Sequence, residues 1–207
     1  MVRRVGDADG VSDPSPPIPP VVVRHLARAL RGVVALVFTM PDDGWTLPTP
    51  CEGWNVRDVA NHVATVTEKF TRFAAGEDGL LREDGRDWLG DRPDEGLLRV
   101  VSESSATWRD HPEALERTCH LPFGDFDGAT AAAINLFDAV VHGWDVATAT
   151  DQHWFSPGAR AVDLSLEIAE LLVTPAARAS GQFGPPASAK PTPFGRLLGL
   201  TGRSSAR

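Results

Sequence analysis

The sequence has no tyrosine, so acid chemistry carried by a phenol is excluded. It has only two cysteines, Cys51 and Cys119, far apart along the chain. Two such thiols make no disulfide framework, and in a reducing compartment both are expected to be free. No apolar run approaches the roughly 20 residues that cross a bilayer, so no stretch reads as a membrane helix and no membrane partner is expected. Positive charge is scarce as well. Lys and Arg number 20 against 28 Asp and Glu, a net charge of -8. That balance argues against nucleic acid as a partner, because phosphate binding needs clustered Lys and Arg. It leaves a small cationic partner or a thiol cofactor open. Arg3 and Arg4 open the chain, but Asp7, Asp9 and Asp13 follow where a secretory signal would be apolar. A cytoplasmic protein is the expectation.

What is present is ordinary for a globular protein: 42% apolar and 23% charged residues. A length of 207 residues is enough for one domain with a real core and short for two. Residues 1–20 are rich in Pro, Gly, Asp and Ser and read as a disordered leader. Residues 21–207 read as a single helical domain. Neither an internal repeat nor sustained strand alternation is visible.

Helical periodicity predicts five helices. The first runs over about 21–40, with Val22, Leu26, Leu30, Val33, Val34 and Val37 on one face. The second starts after Asn55, where Asp58 three residues on suggests a capping box, and runs to about Ala75. The third fits 94–110, and a turn of helix resumes through Leu115 after His111-Pro112. The fourth, Ala129 to Thr150, is Ala-rich and of high propensity. The fifth fits 157–174, with Ser156 as N-cap and Pro157 at its first position. A short docking helix fits 194–200. Residues 76–93 read as a surface loop, and Leu121 to Phe126 as an irregular connector. Helices joined mostly by short connections describe an all-α bundle.

One helix carries Asp138, His142 and Asp145, related by four and three residues and therefore on one face. A carboxylate and an imidazole one turn apart can chelate a divalent metal in a bundle core, given a third ligand from a neighbouring helix. His62, between Val59 and Val66 on the inward face of the second helix, supplies one. Two imidazoles and one carboxylate leave coordination positions open. Spacing alone leaves bland readings standing. An inward His is often a hydrogen-bonded core residue, and an acid and His four apart can be a surface pair worth a few tenths of a kcal/mol. The Ala, Val, Ile, Leu and Phe around 138 and 142 favour the metal, because buried Asp and His without partners are costly. Asp145 is either a fourth ligand or an acceptor for an imidazole N–H. Cys51 precedes a helix whose dipole would lower its pKa, or is an inert loop cysteine. Trp54 and Trp144 can line the pocket. Arg57 and Arg72 can meet an anionic thiol cofactor, or simply be solvated helix-face charges. His25, His111, His120 and His153 fit no ligand spacing.

Two stretches carry a resemblance. Thr49-Pro-Cys-Glu-Gly-Trp-Asn-Val-Arg-Asp58 with Asn61-His62-Val63, and Asp138-Ala-Val-Val-His142-Gly-Trp-Asp145, resemble the hallmarks of the mycothiol-dependent maleylpyruvate isomerase-like proteins of the DinB-like superfamily. The likeness extends from about residue 22 to the final Leu-Leu-Gly-Leu-Thr-Gly-Arg. It implies a DinB-like four-helix bundle with a short C-terminal extension. It also implies a divalent metal, zinc or nickel, held by His62, Asp138 and His142, and mycothiol as a thiol partner; Trp54, Trp144 and Arg57 are, from their positions in the sequence, the residues expected to meet that cofactor. The family's isomerase has Glu where this chain has Asp138, and it carries a further C-terminal region that is short here. The expectation is therefore a metal-activated thiol transferase or isomerase acting on an electrophilic substrate. A non-catalytic metal-binding or sensing protein is the rival reading, and a bundle with a vestigial site is the third. A homodimer is compatible with the sequence.

Overall fold

The computed structural model describes residues 20–41, 43–154 and 157–204. The leader expected over 1–20 lies, except for Pro20, outside the described residues, and so does the expected N-cap Ser156. Among the described residues there are four long helices: α1 (Val21–Phe38), α2 (Val56–Ala74), α3 (Pro93–Asp110) and α4 (Gly128–Ala149). Three further helices follow: α5 (Ala159–Leu172), α6 (Pro175–Ala179) and α7 (Pro193–Leu200).

The four long helices form the expected bundle. Both α1 and α2 pack against α3 and α4, which leaves α1 and α2 diagonal to each other. The helix α4 also packs against α5, and α5 carries α7. Being flanked by α1, α2 and α5 explains why α4 is apolar almost all round. Its Ala131, Ala132, Leu136, Ala139, Val140, Val146 and Ala147 are all buried. The main core joins Ala131, Ala132, Leu136, Ala139 and Val140 to Leu26, Leu30 and Val33 of α1, Phe70 and Phe73 of α2, and Trp108 of α3. Burying one Phe70 or Leu30 side chain contributes about 1.5–3 kcal/mol. A second, smaller cluster of Leu36, Val56, Val59, Val146 and Ala147 packs under Trp45, Leu47 and Cys51.

The start of α2 is chemically specified. Asn55 Oδ1 accepts from the Asp58 N–H at 2.9 Å and Asp58 Oδ2 accepts from the Asn55 N–H at 3.0 Å, a reciprocal capping box. At α4, the Asp127 carboxylate accepts from the Thr130 N–H at 2.7 Å.

Three expectations need correction. The connector at 121–126 is not irregular: β1 (Thr118–Leu121) and β2 (Gly124–Asp127) form an antiparallel hairpin in register Thr118↔Asp127 to Leu121↔Gly124. Four-residue strands are too short for period-two alternation to stand out, although Cys119 and Leu121 do turn inward. Residues 76–93 are more than a surface loop, because Leu81 and Leu89 are buried and the Leu81 N–H donates to the His120 carbonyl at 2.9 Å. Asn61 fastens this segment to α2, accepting from the Trp88 N–H at 2.8 Å and donating to the Arg86 carbonyl at 3.1 Å. The fifth helix begins at Ala159 rather than Pro157, and Gly158, at φ +106, precedes it.

Candidate metal centre

Facing turns of α2 and α4 bring His62 and Asp138 together. His62 Nε2 lies 3.0 Å from Asp138 Oδ1, and His142 Nε2 lies 3.7 Å from the same oxygen. The two imidazole centroids are 5.0 Å apart. The nitrogen and oxygen donors of His62, Asp138 and His142 all fall within 4.8 Å of one another. Asp138 is only 13% exposed in its side chain. Its Oδ2 is buried and has no hydrogen-bond partner among the described residues. A buried carboxylate oxygen without a donor is costly, and a cation placed among the three side chains would satisfy it.

Electrostatics follow from this packing. Burial works against the charged carboxylate of Asp138, but the adjacent His62 and His142 outweigh it and hold its pKa below the ordinary range. Burial likewise works against the imidazolium of His62, and Asp138 and Glu83 outweigh it, raising the His62 pKa.

The second nitrogen of His142 is also engaged. His142 Nδ1 lies 2.9 Å from Asp145 Oδ2, on the wholly buried side chain of Asp145. Asp145 in turn is forked by Arg203, whose Nε donates to Oδ1 at 2.9 Å and whose Nη2 donates to Oδ2 at 2.6 Å. Burial would raise the Asp145 pKa, but hydrogen bonds from His142 and Arg203 outweigh it and lower it. An ionised carboxylate can only accept, so the proton between Asp145 and His142 sits on Nδ1. Nε2 is then the ring nitrogen that faces Asp138, 3.7 Å from its Oδ1. Asp145 is therefore an acceptor behind an imidazole.

The loop before α2 builds one wall. Thr49 Oγ1 accepts from the Cys51 N–H at 3.1 Å and donates to the Trp54 carbonyl at 2.9 Å. The Trp54 N–H closes on the Cys51 carbonyl at 3.0 Å, with Gly53 at φ +81, the conformation a type II turn needs at that position. The turn sets Trp54 edge-on to His62 at 5.0 Å and nearly parallel to His142 at 6.2 Å. Trp54 is 36% exposed, so it forms the outer rim.

The other expected cofactor residues stand elsewhere. Arg57 donates to Asp87 Oδ2 at 2.8 Å and to the Gly90 carbonyl at 2.9 Å, tying down the 76–93 segment. Trp144 is half-buried and two residues from His142, a spacing that puts two side chains on different helix faces. Arg72 is taken up by Glu68 and Glu77. His120 pairs with Asp125 and His111 with Glu113. Cys51 is no activated thiol, since burial pushes its pKa up despite the opposing influence of Arg203. Burial pushes Cys119 up to about 11.

Sequence reasoning missed three residues. Lys69, two turns after His62, is buried and donates to Glu83 Oε1 at 3.2 Å. Glu83 Oε2 lies 3.9 Å from His62 Nδ1, so this acid bridges Lys69 and the site. The seven-residue spacing of His62 and Lys69 was a usable signal; Glu83, in an Asp- and Gly-rich stretch, had none. Arg203 closes a recognisable motif but had no visible partner.

One alternative donor group exists among the described residues, Cys51, His142 and Asp145. There Arg203 already supplies the positive charge, which disfavours a metal ion at the same place.

Residues 23–147 match the family model described as the mycothiol maleylpyruvate isomerase N-terminal domain. The chain is also similar to two uncharacterized proteins of Mycobacterium tuberculosis, from strains CDC 1551 / Oshkosh and ATCC 25618 / H37Rv. Each is 30% identical over 169 residues, which cover 80% of this chain and 86% of the relative. No solved structure matches the chain. Among the described residues, no helix is long and apolar enough to cross a membrane.

Proposed function

The chain belongs to the mycothiol maleylpyruvate isomerase N-terminal domain family, and from that premise we propose that it is a metal-dependent, mycothiol-dependent thiol transferase or isomerase. His62, Asp138 and His142 hold one divalent ion, zinc or nickel. The observation that carries this reading is Asp138, a buried carboxylate between two imidazoles whose Oδ2 has no donor among the described residues. Two nitrogens and one carboxylate oxygen suit a borderline divalent ion and leave positions open for a ligand. The bound ion supplies Lewis acidity that lowers the pKa of a low-molecular-weight thiol.

The chain's own residues do the rest. Asp145 keeps the His142 proton on Nδ1, so that Nε2 is available. Trp54 covers both imidazoles and keeps water off that side. Lys69 and Glu83 place a charge pair at the rim beside His62, where an electrophilic substrate would approach.

Metal analysis of the protein as isolated, paired with Asp138→Ala, tests the first half. About one zinc or nickel per chain, lost in the variant, is the expected result. Mycothiol consumption with a panel of electrophiles, with and without chelator, tests the second. Metal-bound protein that consumes no thiol with any electrophile would leave the non-catalytic, metal-binding reading in its place.

A further inference from the structure

We infer that Arg203 is a positioning residue for His142, so that the turn following α7 is a working part of the metal site. The inference rests on the metal-binding reading for one of its two readouts only.

The local sequence aims Arg203. Helix α7 ends in a Schellman motif: the Arg203 N–H donates to the Leu198 carbonyl at 2.8 Å and the Gly202 N–H to the Gly199 carbonyl at 3.2 Å. Gly202 sits at φ +87, a conformation that favours glycine. A Cβ there would stand 3.1 Å from Gly184 Cα, so the turn is also crowded. Thr201 Oγ1 donates to the Leu197 carbonyl, and the Thr201 carbonyl accepts from Arg203 Nη1 at 2.9 Å. The guanidinium is thus held from behind before it reaches Asp145.

At Asp145 it makes a forked contact with both carboxylate oxygens. Oδ2 is shared between Arg203 Nη2 and His142 Nδ1. Arg203 therefore sets the rotation of the carboxylate that orients the imidazole. Asp145 is wholly buried and Arg203 is 8% exposed, so water is a poor substitute for either. Residue 203 lies outside the segment 23–147 that matches the family model. A side chain from the C-terminal extension thus reaches into the site built by the matched region.

The test uses the full chain with Arg203→Met and Arg203→Lys. In metal-free protein, 15N spectra of the His142 ring, assigned with His142→Gln, should show the Nδ1–H tautomer in the wild type. Arg203→Met should show mixed tautomers, and its zinc affinity, read by chelator competition, should fall about 10–100-fold, the range for residues behind a metal ligand. Arg203→Lys keeps the charge but not the fork and should fall between. If Arg203→Met does not fold, Arg203→Lys carries the test with the same two readouts. A folded variant with wild-type tautomer and wild-type zinc affinity overturns the inference. Wild-type protein that binds no zinc would sink the proposed function instead, and the metal-free tautomer would still decide the role of Arg203.

Discussion

Replacing Gly143 by alanine sets two effects of opposite sign against each other. Gly143 lies in the interior of α4, where Ala is worth about 1 kcal/mol over Gly in propensity. Local reasoning therefore expects stabilisation. The tertiary structure says otherwise. A Cβ at 143 would stand 2.7 Å from Cζ2 and Cζ3 of Trp154, and closer still to Cη2. The indole cannot retreat easily, because its other side lies on α1, where a Cβ on Gly32 would already meet it at 3.2 Å. Trp154 is wedged between two glycine notches. Overpacking of this kind costs about 1–3 kcal/mol, and contacts this short belong at the upper end. Subtracting the propensity gain leaves a net loss of about 2 kcal/mol. For a chain of this size that is a fall of roughly 4–8 °C in melting temperature. Urea denaturation followed by circular dichroism measures it, and Trp154→Phe, which shrinks the ring, should relieve most of the loss. Gly143→Ala as stable as the wild type, or more so, would refute the reasoning and mean that Trp154 repacks freely. The neighbour of Gly143 is His142, so zinc affinity should fall along with stability.

Other outcomes follow from the same geometry. His62→Ala or His142→Ala should lower zinc affinity by more than about 100-fold in chelator competition, beyond the range for residues behind a ligand. Zinc at about 100 times its Kd should stabilise the wild type by about 2.7 kcal/mol and leave Asp138→Ala unmoved in a thermal melt. Zinc binding requires neutral His62, whose pKa is raised by Asp138 and Glu83. Affinity should therefore be full above that raised pKa and decline as pH falls through it, earlier on acidification than for an unperturbed imidazole, as titration calorimetry across pH can show. Arg57→Ala should change stability by no more than about 1 kcal/mol, since its partner Asp87 is exposed, and should leave zinc affinity as it was.

Much of the bundle was legible because its signals are local. The apolar stripe of α1, the Asn55/Asp58 box and the Ala-rich run of α4 each act within a few residues. The same holds for Asp138 and His142, whose four-residue spacing is itself a statement about one helix face. The hairpin at Thr118–Asp127 was not legible, because strands of four residues carry too few alternations. Trp54 and Trp144 looked equivalent in sequence. The turn built by Thr49 and Gly53 brought one to the imidazoles, and helical phase put the other on a different face of α4.

The sequence by itself determined where the four long helices lie, which face of each turns inward, and that a histidine and an acid–histidine pair stand on two of them. Periodicity and capping are properties of neighbours along the chain, so they need no fold to be read. Only the tertiary structure decided that α2 and α4 meet at His62 and Asp138, that Glu83 bridges Lys69 and His62, and that Arg203 reaches Asp145 from 58 residues away. Such pairings depend on where helices cross and where chain ends return, and no repeat along the sequence encodes them.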